Sequence, residues 1–94
     1  MLFALVALDQ PNSVARRAEI RPEHLKHLDA LGDSLILAGP FLNDKDEGVG
    51  SIVVIEAASL DAAREMFARD PFMREGLFDQ VTIKPWRLGV NKTK

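Results

Sequence analysis

The 94-residue sequence contains no cysteine, which excludes disulfide bonds, thiol chemistry and cysteine-ligated zinc or iron–sulfur sites. Basic residues are not in excess, because 12 Lys and Arg residues stand against 14 Asp and Glu residues, for a net charge of −2. A general nucleic-acid-binding protein needs a basic surface for phosphate contacts, so this charge balance argues against nucleic acid as a partner. Aromatic residues make up only 6%, and the third predicted strand (residues 51–55) contains none, which argues against an RNA-recognition module.

Long hydrophobic runs are also missing. The apolar run at residues 1–8 ends at Asp9, has no basic segment before it and is too short to span a bilayer. It therefore predicts a strand rather than a signal peptide or a membrane anchor. With 47% apolar and 28% charged residues, the chain has ordinary globular composition and the length of one small domain. We expect a soluble cytoplasmic protein.

Strand signals occur in four places along the chain. The predicted β-strands are residues 2–8, 35–39, 51–55 and 80–84. The first and third are almost continuously apolar, which is typical of central strands buried on both faces. Pro40 is expected to end the second strand, and Pro85 marks the fourth as an edge strand because proline cannot donate to a neighbour.

Helical signals separate these strands. Helices are predicted over residues 13–31 and 60–69, with a short helical turn after residue 70. Pro22 is expected to divide the first helix into 13–20 and 22–31, since proline inside a helix removes a hydrogen bond. Ser59 and Asp70 occupy helix N-cap positions. The element order βαββαβ predicts an α+β, ferredoxin-like sandwich whose antiparallel sheet has the strand order 4-1-3-2.

The first strand carries apolar side chains on both faces, although two helices can cover only one face of such a sheet. One face would carry Phe3, Leu5 and Ala7, and the other Leu2, Ala4, Val6 and Leu8. A large open apolar face does not remain in water. The sequence therefore predicts that the sheets of two copies pack face to face in a homodimer, with a higher oligomer as an alternative.

Polar residues from distant parts of the sequence converge at one edge of this predicted fold. They are Asp9, Arg17, His24, Ser51 and Asp70. His24 lies on an apolar helix stripe, where a histidine is either a structural residue bonded to a carbonyl or a proton-transfer group. Asp70 would orient the imidazole, while Arg17 and Ser51 would hold a substrate oxygen or anion. Each also has a structural explanation: a helix cap for Asp70, an outward-pointing side chain for Arg17 and a strand start for Ser51.

A metal site has only a weak signal. Glu23, His24 and His27 have spacings that would let two of them touch one metal ion, but such pairs on one helical turn are common by chance. We therefore expect no metal and no other cofactor.

Several short motifs, taken in their order and spacing, resemble the YCII-related (YciI-like) family. They are the first strand ending in Asp9, Arg17, the segment Arg21-Pro22-Glu23-His24-Leu25-Lys26-His27-Leu28, Leu37-Ala38-Gly39-Pro40, Gly50-Ser51, Asp70-Pro71-Phe72 and Val81-Thr82-Ile83-Lys84-Pro85-Trp86. The resemblance covers residues 1–87, which we take as a single domain followed by a flexible tail at 88–94.

This resemblance implies a dimeric α+β barrel of ferredoxin-like subunits. It also implies a His/Asp pair at His24 and Asp70, with Arg17 and Ser51 lining the same pocket. Similar proteins include cofactor-independent enzymes that act on oxygenated, sometimes chlorinated, aromatic rings.

Three hypotheses about function remain open. The leading one is a cofactor-independent lyase or isomerase in which His24 transfers a proton of a small acidic or phenolic molecule. The alternative is a non-catalytic dimer that binds a small molecule, with the bond between His24 and Asp70 purely structural. A structural subunit whose pocket is filled by side chains is the third.

Overall fold

The computed structural model describes residues 1–93. In chain order its elements are β1 (Leu2–Asp9), α1 (Val14–Ala30), a 3₁₀ turn (Gly32–Ser34), β2 (Leu35–Leu42), β3 (Gly48–Glu56), α2 (Leu60–Ala68), α3 (Pro71–Arg74) and β4 (Phe78–Trp86). All four predicted strands are present and each is longer than predicted, and the predicted helical regions are helical.

The sheet has the order β2-β3-β1-β4, and each neighbouring pair is antiparallel. Read by strand number this is 4-1-3-2, so the predicted α+β ferredoxin-like fold is confirmed. The two strands with the least alternation, β1 and β3, are central as expected. Both strands that contain proline, β2 and β4, are edge strands, where a missing N–H leaves no partner unpaired.

The hydrophobic core lies between the helices and one face of the sheet. Its buried members are Phe3, Leu5, Ala7, Leu28, Val53, Ile55, Ala63 and Phe67. On β1 these positions alternate with the half-buried or exposed Leu2, Ala4, Val6 and Leu8. This two-residue period is the direct result of strand geometry. Ser51 of β3 is the cross-strand partner of Ala7, so its side chain lies on the same face as that of Ala7.

The predicted break at Pro22 is wrong, because α1 is one helix from Val14 to Ala30 with Pro22 inside it. Proline removes the hydrogen bond to the carbonyl four residues earlier, which here belongs to Ala18. Both Pro22 and Ala18 are exposed, so water can bond to that carbonyl. The predicted end of β2 at Pro40 is also wrong, since β2 continues to Leu42 along the sheet edge.

The second face of the sheet is not covered by any helix within residues 1–93. Val6 is 40% exposed, Leu8 45% and Ile52 36%, and Val6 and Ile52 are paired across β1 and β3. The apolar open face is therefore present, while the dimer that it predicts stays a prediction. Residues 1–93 contain no helix with the length and hydropathy of a membrane span.

The chain after β4 forms neither helix nor strand over residues 87–93. The flexibility expected for 88–94 stays a prediction, and Lys94 lies outside the described residues.

Candidate active site

His24 and Asp70 are in direct contact beneath the surface. The Nδ1 atom of His24 lies 2.8 Å from both carboxylate oxygens of Asp70, and both residues are buried. His24 comes from the middle of α1, whereas Asp70 is the N-cap of α3 and accepts a hydrogen bond from the Phe72 N–H at 2.9 Å. The cap fixes the carboxylate, and the carboxylate in turn fixes the imidazole.

This contact determines which ring nitrogen of His24 is free. A carboxylate only accepts hydrogen bonds, so the hydrogen-bond network assigns the proton to Nδ1 in the neutral ring. Nε2 then carries a lone pair and is the nitrogen available to a molecule in the adjoining cavity. An imidazole held in this way can accept a proton at Nε2 while the carboxylate stabilises the resulting positive charge.

Phe72 holds the imidazole from the side. Its ring stacks on His24 with centroids 3.9 Å apart and an angle of 15° between the planes. The Cζ atom of Arg17 lies 4.5 Å from the centroid of the same ring, which is fully buried. Sequence reasoning did not identify Phe72 as part of the site. The available signal was its position two residues after Asp70, where its N–H closes the helix cap.

Arg17, Asp9 and Ser51 form a second buried group beside the dyad. Nη1 of Arg17 donates to both carboxylate oxygens of Asp9 at 2.9 Å, and Nη2 donates to the Ser51 hydroxyl oxygen at 2.7 Å. The Arg17 and Asp9 side chains are 8% and 3% exposed, so this ion pair is shielded from solvent screening. The structure thus brings together the five polar residues that the topology had placed at one edge.

Two glycines of β3 make this arrangement possible. A Cβ atom at Gly48 would lie 2.9 Å from the Arg17 Nε atom, and one at Gly50 would lie 2.5 Å from the Ala7 carbonyl oxygen. Contacts this short force a displacement, so only glycine lets β3 run this close to the guanidinium and to β1.

A cavity of about 390 Å³ adjoins both groups, within the range of small-molecule sites. Its apolar walls are formed by Val14, Ala18, Leu25, Leu28, Ala38, Pro40, Leu42, Val53 and Phe72. Its polar lining includes Arg17, His24 and Ser51, which were predicted, and Arg21, Asp46 and Glu47, which were not. Leu25 and Leu42 are exposed, so the cavity reaches the surface and is not filled by side chains.

His27, one helical turn after His24, is half-buried and has a lowered pKa. Burial is the main cause; the Asp70 carboxylate opposes the shift, and the charges of His24 and Arg69 add to it. Glu23, the third residue of the weak metal pattern, pairs instead with Lys26 at 3.1 Å. Within residues 1–93 no group of three or more potential metal ligands is present.

Solved structures with this fold include enzymes that act on small molecules. The 5-chloro-2-hydroxyhydroquinone dehydrochlorinase TftG from Burkholderia phenoliruptrix AC1100, in complex with 2,5-dihydroxybenzoquinone, is 31% identical to this chain. The match covers 95% of this chain and 96% of TftG with a TM-score of 0.86. SnoaB, a cofactor-independent oxygenase from Streptomyces nogalater, matches at 14% identity over 97% of both chains with a TM-score of 0.61, which shows the shared fold alone.

Sequence relatives cover nearly the whole chain. Protein YciI of Escherichia coli O6:H1 is 35% identical over 93% of this chain and 97% of the relative. An uncharacterized protein of Haemophilus influenzae is 32% identical over the same shares. The family model of the YCII-related domain matches residues 1–87. With this match and these relatives, the chain belongs to the YCII-related family.

Proposed function

We propose that this protein is a cofactor-independent acid–base enzyme of the lyase or isomerase type that acts on a small acidic or phenolic molecule. His24 and Asp70 are the catalytic residues of this proposal, and Arg17 and Ser51 are the substrate-binding residues. The observation that carries it is the 2.8 Å contact between His24 Nδ1 and the Asp70 carboxylate, beside a cavity that reaches the surface. Its expected location is the cytoplasm.

The steps that the protein's own groups perform in the proposed chemistry are proton transfers, with no change of oxidation state at a cofactor. Nε2 of His24 removes a proton from a carbon or oxygen of the substrate, and Asp70 stabilises the imidazolium that forms. In an elimination, the electron pair of the broken bond to hydrogen forms a new double bond as the leaving group departs with its own bonding pair, and the imidazolium then releases its proton to the leaving group or to water. In an isomerisation, the imidazolium returns the proton to a different atom. His24 ends each cycle in its starting form.

The cavity supports a compact and largely apolar substrate. Apolar residues form most of its wall, and its polar residues are the buried Arg17, His24 and Ser51 together with the exposed Arg21 and Asp46 and the half-buried Glu47. This combination suits a single ring with oxygen substituents. The activity and bound quinone named for TftG, at 31% identity over nearly the whole chain, support the same class of substrate.

We also propose that the protein works as a homodimer in which a second copy covers the open sheet face. Val6, Leu8 and Ile52 would then be removed from water, which supplies about 25 cal/mol for each Å² of apolar surface buried. Sedimentation equilibrium at micromolar concentration is expected to show the dimer. A protein that remains monomeric under these conditions would contradict the proposal.

The function is tested by the His24→Ala variant on a panel of chlorinated and unchlorinated hydroquinones and phenols. A positioned acid–base group contributes about 10²–10⁴-fold to the rate, so kcat is expected to fall by that factor while the fold is retained. His27→Ala is the matched control, because it removes a histidine one turn away that does not contact Asp70. Full activity of His24→Ala would exclude the proposed mechanism. Ligand binding without turnover across the panel would favour the non-catalytic binding module.

A further inference from the structure

The Ser51 hydroxyl is a buried group with an uncommitted hydrogen. Ser51 is 2% exposed and lines the cavity. Its oxygen accepts a hydrogen bond from Arg17 Nη2 at 2.7 Å, and this is its only hydrogen bond within residues 1–93. A hydroxyl that accepts at its oxygen still has one hydrogen to donate. Because Ser51 lies at the cavity wall, a molecule in the cavity is the natural acceptor.

The bond from Arg17 strengthens this donor. Hydrogen bonds in a chain polarise one another, and a charged first donor strengthens the effect. Asp9 holds the guanidinium through Nη1, and the close approach of Gly48 confines its Nε atom. The Asp9–Arg17 pair is neutral as a unit, so its contribution to the cavity is a directed hydrogen bond rather than a net charge.

We infer that the Ser51 hydroxyl donates to a substrate oxygen that becomes negatively charged during the reaction. This inference rests on the proposed function and specifies it. As His24 removes a proton, the electron pair moves onto a conjugated oxygen, forming a phenolate or enolate that Ser51 stabilises. Arg17, which the proposed function places among the substrate-binding residues, contributes to that binding through Ser51 as a positioning residue, and Asp9 fixes Arg17. The substrate class is thereby a molecule with a hydroxyl or carbonyl oxygen conjugated to the reacting atom.

Binding of 4-nitrophenol tests the donor without requiring turnover. Its phenolate form absorbs visible light, so titration of the complex gives the pKa of the bound probe. Loss of the hydrogen bond in Ser51→Ala should raise that pKa by about one to two units, the shift expected for a bond to a charged group. Ser34→Ala, a serine outside the cavity lining, should leave it unchanged. An unchanged pKa in Ser51→Ala, or a wild-type protein that does not bind the probe, would overturn the inference.

A second comparison tests whether Arg17 acts through Ser51. The pair Asp9→Asn with Arg17→Gln removes the ion pair without leaving a buried carboxylate unpaired. It should raise the pKa of the bound probe when Ser51 is present and have no further effect when combined with Ser51→Ala. If the pKa shift of the combined variant equals the sum of the shifts of the Asp9→Asn/Arg17→Gln pair and of Ser51→Ala, the guanidinium contacts the ligand directly. That result would refute this part of the inference.

Kinetic measurements on the Ser51→Ala and His24→Ala variants distinguish a failure of this inference from a failure of the proposed function. On any substrate that is turned over, Ser51→Ala should lower kcat about 10²–10³-fold, as for other oxyanion donors, with a smaller change in KM. If His24→Ala stays fully active while the 4-nitrophenol shift is present, the proposed mechanism fails and the donor assignment stands. If His24→Ala is inactive and Ser51→Ala changes neither the probe nor kcat, the donor assignment fails alone.

Discussion

Replacing Asp70 by alanine should destabilise the protein by an amount that its two hydrogen bonds determine. The buried carboxylate accepts from His24 Nδ1 at 2.8 Å and from the Phe72 N–H at 2.9 Å. An imidazole N–H left without an acceptor in the interior costs about 1–3 kcal/mol. Loss of the N-cap of α3 adds about 1 kcal/mol. The expected decrease in the free energy of unfolding is therefore about 2–4 kcal/mol. Each kcal/mol should lower the Tm by about 4–8 °C.

Urea denaturation separates this loss from a change in the unfolded state, since the midpoint should fall while the m-value stays constant. Asp70→Asn provides the contrast, because its amide oxygen still caps α3 and still accepts from Nδ1. We expect it to retain more than half of the stability that the alanine variant loses. Its activity should nevertheless fall, by about 10²–10⁴-fold, because the amide cannot stabilise the imidazolium as a carboxylate does.

Asp44→Ala, an exposed aspartate in the loop between β2 and β3, is the matched control and should be nearly neutral. If Asp70→Ala costs no more than Asp44→Ala, the reasoning from its buried hydrogen bonds is wrong. Wild-type activity of Asp70→Asn would instead refute the role of the carboxylate in catalysis and leave the stability argument intact.

Two further predictions concern pH and assembly. Burial lowers the pKa of His27 below its ordinary 6.5, so the unfolded chain binds that proton more readily than the folded one. The free energy of unfolding should therefore be constant with respect to His27 above about pH 6.5 and should decrease as the pH falls below it. In His27→Gln this decrease, measured as the fall in Tm with pH, should be smaller. Val6→Lys, which places a charge on the open sheet face, should raise the dimer Kd roughly tenfold to a hundredfold by analytical ultracentrifugation. Val90→Lys places the same charge outside the sheet, and an equal increase in the dimer Kd in that variant would contradict the assignment of the open sheet face as the dimer interface.

Local patterns were sufficient for most of the fold. The nearly continuous apolar runs of β1 and β3 predicted the two central strands, and Pro85 identified β4 as an edge strand. Ser59 was recognised as a helix cap and accepts from the Ala62 N–H at 3.1 Å. Strand periods, caps and edge prolines are short-range features, because each depends on residues within one or two turns of the chain.

The two wrong predictions both concerned proline. Pro22 and Pro40 lie inside regular elements because the groups they leave unpaired face water or a sheet edge. Whether a lost hydrogen bond matters depends on what surrounds it, and that environment is supplied by distant parts of the chain. A rule that uses only the residues near a proline cannot predict this environment.

From the sequence alone we predict one small α+β domain that brings a histidine, an arginine and two acidic residues to a common edge. Their contacts depend on the packing of the folded chain: Asp70 bonds to Nδ1 of His24, Phe72 stacks on the imidazole, and Arg17 lies between Asp9 and Ser51. His24 and Asp70 are 46 residues apart in the sequence and Arg17 and Ser51 are 34 apart, and contacts at such separations are set by how the helices pack on the sheet. The periods of helices and strands determine which side chains share a face. The packing of the helix faces against the sheet determines which of their atoms come within 3 Å of each other.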